Sequence, residues 1–334
     1  MTYTFPFQGK WLSFTDDDLL KKVKPEEADG IRALYDKYEA NRMSFFLGHG
    51  QGTLFLNDYE SDIVALLAGN QQGKSYHGIQ WLLMRCVPTD PTWHCYKHNG
   101  LIYRPFKGGD IAAYIGTYSL KVLRRAIWGT LAELLPDDVL KEYSPRYRGT
   151  GKKRVSWTGD CCLPLDFGRD GSCRIDFGSY SQGQASVESV RYDYALSDEQ
   201  MPRPMLVGLI ERGRTRGGIK IAVCATPHRM AGRPDTGAGG WLHQLVLGHD
   251  SLGAKYKIYK IKLDDVPDEI YSKREKARAI EQHITIPTQQ QDWKKLREGK
   301  SRLYGDFESS EGLCLDEWDD RIHLVGWDEF AKVH

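Results

Sequence analysis

Ile63-Val64-Ala65-Leu66-Leu67-Ala68-Gly69-Asn70-Gln71-Gln72-Gly73-Lys74-Ser75 is the stretch from which the rest of the chain can be read. Six consecutive apolar residues fit a strand buried on both faces of a parallel sheet. The glycines that follow let backbone N–H groups close on phosphate oxygens. Lys74 can reach the outer phosphates, and Ser75 offers a hydroxyl to Mg2+. Ile79, Leu82, Leu83 and Met84 then recur at helical spacing, so the loop opens onto a helix N-terminus with its partial positive charge. The pattern departs from G-x-x-x-x-G-K-[ST] at its first glycine, where Ala68 stands with Gly69 beside it. Strand, loop, Lys-Ser and helix in register place Gly69, Asn70, Gln71, Gln72, Gly73, Lys74 and Ser75 around the phosphates of a nucleotide. The bland alternative is an ordinary glycine-rich turn between strand and helix.

Such a loop needs carboxylates on a neighbouring strand: one to hold Mg2+ and one to orient or deprotonate the attacking water. Asp198-Glu199, at the end of the apolar run Tyr194-Ala195-Leu196-Ser197, fits both roles. Taken alone, the pair reads as a solvated strand end. Cys224-Ala225-Thr226-Pro227 closes another strand candidate, Ile219–Val223, and a hydroxyl there can sense the γ-phosphate. Charge developing on that phosphate calls for an arginine. The loop has none, which leaves Arg191, Arg212, Arg214, Arg216, Arg146 and Arg148 as candidates, each also readable as a surface charge.

Further strand candidates are Ile111–Tyr118 and Tyr256–Leu263, residues 145–183 are β-rich, and helices are expected over Leu120–Leu135 and Leu206–Glu211. Their alternation predicts a three-layer α/β/α fold with a mostly parallel central sheet, the P-loop NTPase arrangement. Residues 1–50 read as a helical lead-in, with a helix from Pro25 carrying Ile31, Leu34, Tyr35 and Tyr38 on one face. The core spans 51–265. From 266 to 334 the chain turns charged, with a helix at Asp268–Glu281, and reads as a small linker subdomain.

Composition narrows the function classes. The 334 residues carry 46 Lys+Arg against 45 Asp+Glu, which excludes a globally basic nucleic-acid binder but not local basic patches. No stretch has the length and apolarity of a membrane span, and the start lacks a signal-peptide pattern. Seven irregularly spaced cysteines read as free thiols of a reducing cytosol. A strand would put His94 and His98 on one face, but no second Cys or His pair stands at a zinc-site distance.

The order of these segments resembles the ATPase part of a large terminase, the motor that packages tailed-phage genomes. Leu66 to Ser75 is similar to that family's G-N-[RQ]-x-G-K-[ST] loop. Phe177-Gly178-Ser179-Tyr180-Ser181-Gln182-Gly183, with Asp193 and Asp198-Glu199-Gln200-Met201-Pro202, resembles its Ser-Tyr-x-Gln-Gly…Asp-Glu-x-Pro block. Ala225-Thr226-Pro227 resembles its coupling motif. Arg302-Leu303-Tyr304-Gly305-Asp306-Phe307, then Glu311-Gly312, resembles the stretch that leads toward the nuclease. The resemblance implies ATP and Mg2+ at the loop, with Lys74 on phosphate and Ser75 and Asp198 at the metal. It implies Glu199 as the catalytic carboxylate and Thr226 as the coupling residue.

It also implies double-stranded DNA, a portal protein and a small terminase subunit as partners, a ring of copies on the portal, and the cytoplasm of an infected bacterium. Asp316, Glu317, Asp319 and Asp320 are too few for the family's two-metal nuclease, so the chain is expected to stop before that domain and to lack DNA cleavage. Arg146, Arg148, Lys152 and Lys153, interleaved with Tyr143, Tyr147 and Trp157, suit a loop tracking the DNA backbone, an arginine donor to a neighbouring copy, or a solvated hairpin tip. Lys294, Lys295, Arg297, Lys300 and Arg302 read as a solvated helix face. Two other readings stay open: a helicase-like translocase, and an assembly subunit that binds ATP with negligible turnover alone.

Overall fold

The computed structural model describes residues 2–136, 139, 162–184, 187, 190–214, 217–227, 240–248 and 253–307. The basic stretch 146–154 with Tyr143 and Trp157, together with Arg216 and the acidic residues after 310, lies outside them.

A seven-stranded sheet organises the chain. Its strands are β3 (Ile63–Ala68), β4 (Gly109–Thr117), β5 (Cys162–Asp166), β6 (Gly171–Ser179), β7 (Tyr194–Asp198), β8 (Lys220–Ala225) and β9 (Tyr256–Ile261), in the spatial order β5-β6-β4-β7-β8-β3-β9. Every neighbouring pair is parallel except β5 with β6. All six residues of β3 are buried, as its unbroken apolar run predicts. Alternation divides them between two cores. Val64, Leu66 and Ala68 face Ile79, Leu82 and Leu83 of the helix Lys74–Cys86. Ile63, Ala65 and Leu67 face Met205, Leu206 and Leu209 of the helix Arg203–Gly213, along with Trp241 and Leu245. Helices therefore cover both faces, giving the expected three-layer α/β/α order.

The parallel register decides where chemistry can sit. The carboxyl ends of β3, β7 and β8 come side by side, with Leu66 opposite Cys224 and Asp198 opposite the same Cys224. Ligands of open parallel sheets bind in that crevice.

Two segments differ from the sequence reading. Before the helix Pro25–Ala40 the chain forms an antiparallel hairpin, β1 (Thr2–Phe7) with β2 (Lys10–Thr15), where only a helical lead-in was expected. Gln8 (φ +48) and Gly9 (φ +77) form its two-residue turn, both left-handed as such turns require. Tyr3 and Phe5 pack with Leu19 and Ala28 in a small core of their own. The other difference is at His94–His98, which is a short helix rather than a strand. His94 there accepts the Gln8 N–H at 2.9 Å. No group of three or more metal-ligating side chains occurs among the described residues.

The charged C-terminal stretch begins its helix at Lys273 rather than Asp268, because Ser272 and Glu275 form a capping box there. The final described helix, Trp293–Tyr304, exposes Lys294, Lys295, Lys300 and Arg302. Leu303 turns inward to pack with Leu263 and Ala279.

Candidate active site

The loop after β3 takes its shape from its own backbone. Gln71 (φ +62) and Gly73 (φ +78) are left-handed, so the chain doubles back before entering the helix at Lys74. Two histidines brace it from behind. The His49 Nε2 lies 3.0 Å from the Gln72 carbonyl and the His77 Nδ1 2.9 Å from the Gly73 carbonyl. Burial drives the His77 pKa down to about 3, with His49 next to it adding to the effect. Burial lowers the His49 pKa from 6.5 as well, so both histidines serve as neutral donors at physiological pH.

On the open side three segments meet at Lys74. Its Nζ donates to Thr226 Oγ1 at 2.7 Å and pairs with Glu199 Oε1 at 3.1 Å. Thr226 in turn donates its backbone N–H to Glu199 Oε2 at 2.9 Å. Beside them Ser75 Oγ donates to Asp198 Oδ1 at 2.8 Å. Burial, and secondarily the Glu199 charge, push the Asp198 carboxyl up to about pH 6. The structure thus joins residues 74, 75, 198, 199 and 226, which the sequence proposes from three separate segments.

Ser75 and Asp198 fit Mg2+. They are hard oxygen donors in contact, and the carboxylate is buried beside a second acid, where a divalent cation relieves the repulsion.

The turn carrying the acids is held in a costly conformation. Glu199 sits at φ +68, disfavoured for a residue with a Cβ. The Glu199 N–H donates to the Cys224 carbonyl at 2.8 Å, and Ser197 Oγ donates to the Glu199 carbonyl at 2.6 Å. The Tyr180 hydroxyl, fully buried, lies 2.6 Å from Ser197 Oγ and 3.1 Å from the Glu199 carbonyl. The Ser179–Gly183 block therefore scaffolds the acidic turn, a role its spacing did not reveal.

A cavity of about 510 Å3 adjoins the loop, with Lys74 and Ser75 but not Glu199 in its lining. It is walled by Pro6, Trp11, Tyr38 and Phe46 from the N-terminal segment, and by Val266 and Ile270. Arg42 lines it too, held by Glu39 at 2.7 Å and Glu133 at 3.2 Å. Sequence reading missed these residues, since no periodicity links Trp11 or Arg42 to a loop beginning at 69.

The arginine candidates need correction as donors within the same chain. Arg212 adjoins Gly213, whose Cβ position lies 2.6 Å from Ile219 just before β8, whereas Thr226 follows its end. Arg191 is exposed and precedes the start of β7. Both stand at the amino ends of the strands, a strand length of roughly 15–20 Å from the loop. The side chain of Gln72 is likewise turned away from any phosphate: it is buried and bonded on both sides, to the Gly69 N–H and the Leu303 carbonyl.

No family model matches the chain, and no curated protein matches it. Among solved structures it is similar to the large terminase ATPase domain of Thermus phage P74-26. The TM-score there is 0.49 at 13% identity, over 80% of this chain and 96% of that one. It is also similar to the large terminase of a thermophilic bacteriophage, with TM-score 0.45 and 15% identity over 70% of this chain. It spans half the length of that second protein.

Proposed function

We propose that this chain is an ATP-hydrolysing motor domain of the DNA-packaging terminase type. The observation that carries the reading is the convergence of Lys74, Glu199 and Thr226, with Ser75 and Asp198 alongside, at the carboxyl ends of adjacent parallel strands. A glycine-rich turn of merely structural use has no need of a strained glutamate or a buried aspartate at that place.

The residues divide the work. The left-handed backbone at Gln71 and Gly73 leaves loop N–H groups for phosphate oxygens, and the following helix adds its dipole. Lys74 exchanges its Thr226 and Glu199 partners for phosphate. Released, Glu199 takes the position of a general base toward the attacking water. Mg2+ held by Ser75 and Asp198 would supply Lewis-acid neutralisation of phosphate charge. Thr226, bonded to both Lys74 and Glu199, registers whether that exchange has happened. The apolar cavity beside the loop suits the nucleoside, with Arg42 at its edge.

Arg191 and Arg212 face the wrong end of the sheet, and in this reading a neighbouring copy in a ring supplies the charge-stabilising arginine. Double-stranded DNA, the portal and the small terminase subunit are the partners the resemblance supplies. The host cytoplasm is the compartment, and no helix among the described residues is long and apolar enough to cross a membrane.

Magnesium-dependent ATPase activity of the pure chain, measured against protein concentration, tests this. Activity should rise steeply per subunit with concentration and be lost in Lys74→Ala and Glu199→Ala. Activity that survives both substitutions would refute the assignment, and a rate per subunit independent of concentration would refute the neighbouring arginine.

A further inference from the structure

The last turn of the helix Trp293–Tyr304 has no ordinary end. A helix leaves its final carbonyls without partners inside it, and something else must satisfy them. Here the Ser301 carbonyl takes the Gly305 N–H at 3.1 Å, but the next two are taken by the phosphate loop. The Arg302 carbonyl accepts from the Asn70 N–H at 3.2 Å. The Leu303 carbonyl accepts from Gln72 Nε2 at 2.6 Å, while Gln72 Oε1 accepts the Gly69 N–H at 2.7 Å.

Gln72 is 1% exposed, so these bonds have no water to replace them. The approach is close enough to exclude a side chain: a Cβ on Gly69 would lie 1.7 Å from the Arg302 carbonyl oxygen. A second tether lies across the site, where the Ser301 hydroxyl donates to the carbonyl of Pro227. That residue follows Thr226, whose hydroxyl holds Lys74. One helical turn therefore touches the back of the phosphate loop and the strand exit that meets the outer phosphate.

We propose that Gln72 is a positioning residue which makes the phosphate loop the C-terminal cap of this helix, so that nucleotide occupancy sets where the chain leaves it. The proposal rests on the nucleotide reading above. Filling the loop moves the peptide units of Gly69 and Asn70 toward phosphate and draws Lys74 off Thr226. Both movements are delivered to residues 301–303 through backbone groups and one buried amide.

Hydrogen exchange on the full chain tests it, with and without Mg2+ and a non-hydrolysable ATP analogue, in wild type, Gln72→Glu and Ser301→Ala. Gln72→Glu keeps the acceptor for the Gly69 N–H but sets a carboxylate oxygen against the Leu303 carbonyl. A fluorescent ATP analogue reports affinity for each protein, and exchange is compared at saturation. In wild type, amides of 293–307 should slow at least about threefold on saturation. That response should vanish in Gln72→Glu and shrink in Ser301→Ala. A residue that merely supports the loop would weaken affinity but leave the response at saturation intact, and that result overturns the proposal. So does wild type that binds the analogue with no change over 293–307. Wild type that fails to bind the analogue sinks the nucleotide reading itself, and is seen directly in the fluorescence.

Discussion

Asp198 and Glu199 are adjacent carboxylates with opposite burdens. Asp198 is buried, bonded to Ser75 and raised to about pH 6, whereas Glu199 is turned by its left-handed backbone onto Lys74. The raised carboxyl makes folding favour its protonated form. Its contribution to stability is therefore largest below about pH 4 and falls as pH rises toward 6. Taken from the ordinary 3.8 to about 6, the loss is about 3 kcal/mol. Asp198→Asn should flatten that slope, raising the melting temperature at pH 7.5 while abolishing ATP hydrolysis. Added Mg2+ should raise the wild-type melting temperature at pH 7.5 more than at pH 5.5, and should do neither in the variant. Equal magnesium effects at both pH values would show that Asp198 is not the metal ligand. Glu199→Gln should lower turnover by roughly 100- to 10,000-fold with nucleotide affinity changed little, which single-turnover rates and a binding titration separate.

Between elements, the helix Lys74–Cys86 packs closely against β7 and β8. A Cβ on Gly78 would stand 2.7 Å from Cys224 Sγ and 2.8 Å from a Leu196 methyl. Gly78→Ala gains about 1 kcal/mol of helix propensity. Overpacking of buried neighbours costs about 1–3 kcal/mol, so the net effect should be destabilising, with a melting temperature lowered by a few degrees. A stabilised variant would mean that the helix can slide on the sheet. This element is also the most legible from sequence. Its apolar spacing, the unbroken Ile63–Ala68 run and Gly73-Lys74-Ser75 are all local signals, and they fix strand, loop and helix together. The β1–β2 hairpin carries an equally local signal in the alternation of Thr2-Tyr3-Thr4-Phe5-Pro6-Phe7, and reading the segment as a helical lead-in overlooked it. The cavity beside the loop is different. Trp11, Arg42 and Ile270 meet only through tertiary packing, and charge alone does not say that Arg212 sits at the far end of a strand.

Across the whole molecule, residues 2–46 meet the sheet domain at several points, among them Gly9 and the Phe45 carbonyl on Asn99, Arg42 on Glu133, and a contact at His94. His94 accepts the Gln8 N–H and stacks between Phe7, at 4.9 Å, and Phe45, at 5.1 Å. Burial, then the neighbouring His98, lowers its pKa from 6.5. The docked state therefore favours the neutral ring, and its contribution is present above pH 6.5 and lost as pH falls below it. Because this segment walls the cavity, nucleotide affinity should drop between pH 7.5 and 5.5, and His94→Ala should give the acid behaviour already at pH 7.5. An affinity in the variant that matches wild type at pH 7.5 would show that docking does not depend on this ring. The helix Trp293–Tyr304 is bonded directly to the phosphate loop, and this bears on how such a gene can be divided. Composition alone invites a break near residue 265. A recombination event or a deletion there would strip Asn70 and Gln72 of the carbonyls they hold at 302 and 303. The unit that keeps these contacts therefore runs at least through Phe307, since Asp306 pairs with Lys260 at 3.0 Å and Phe307 stacks on His243 at 4.7 Å.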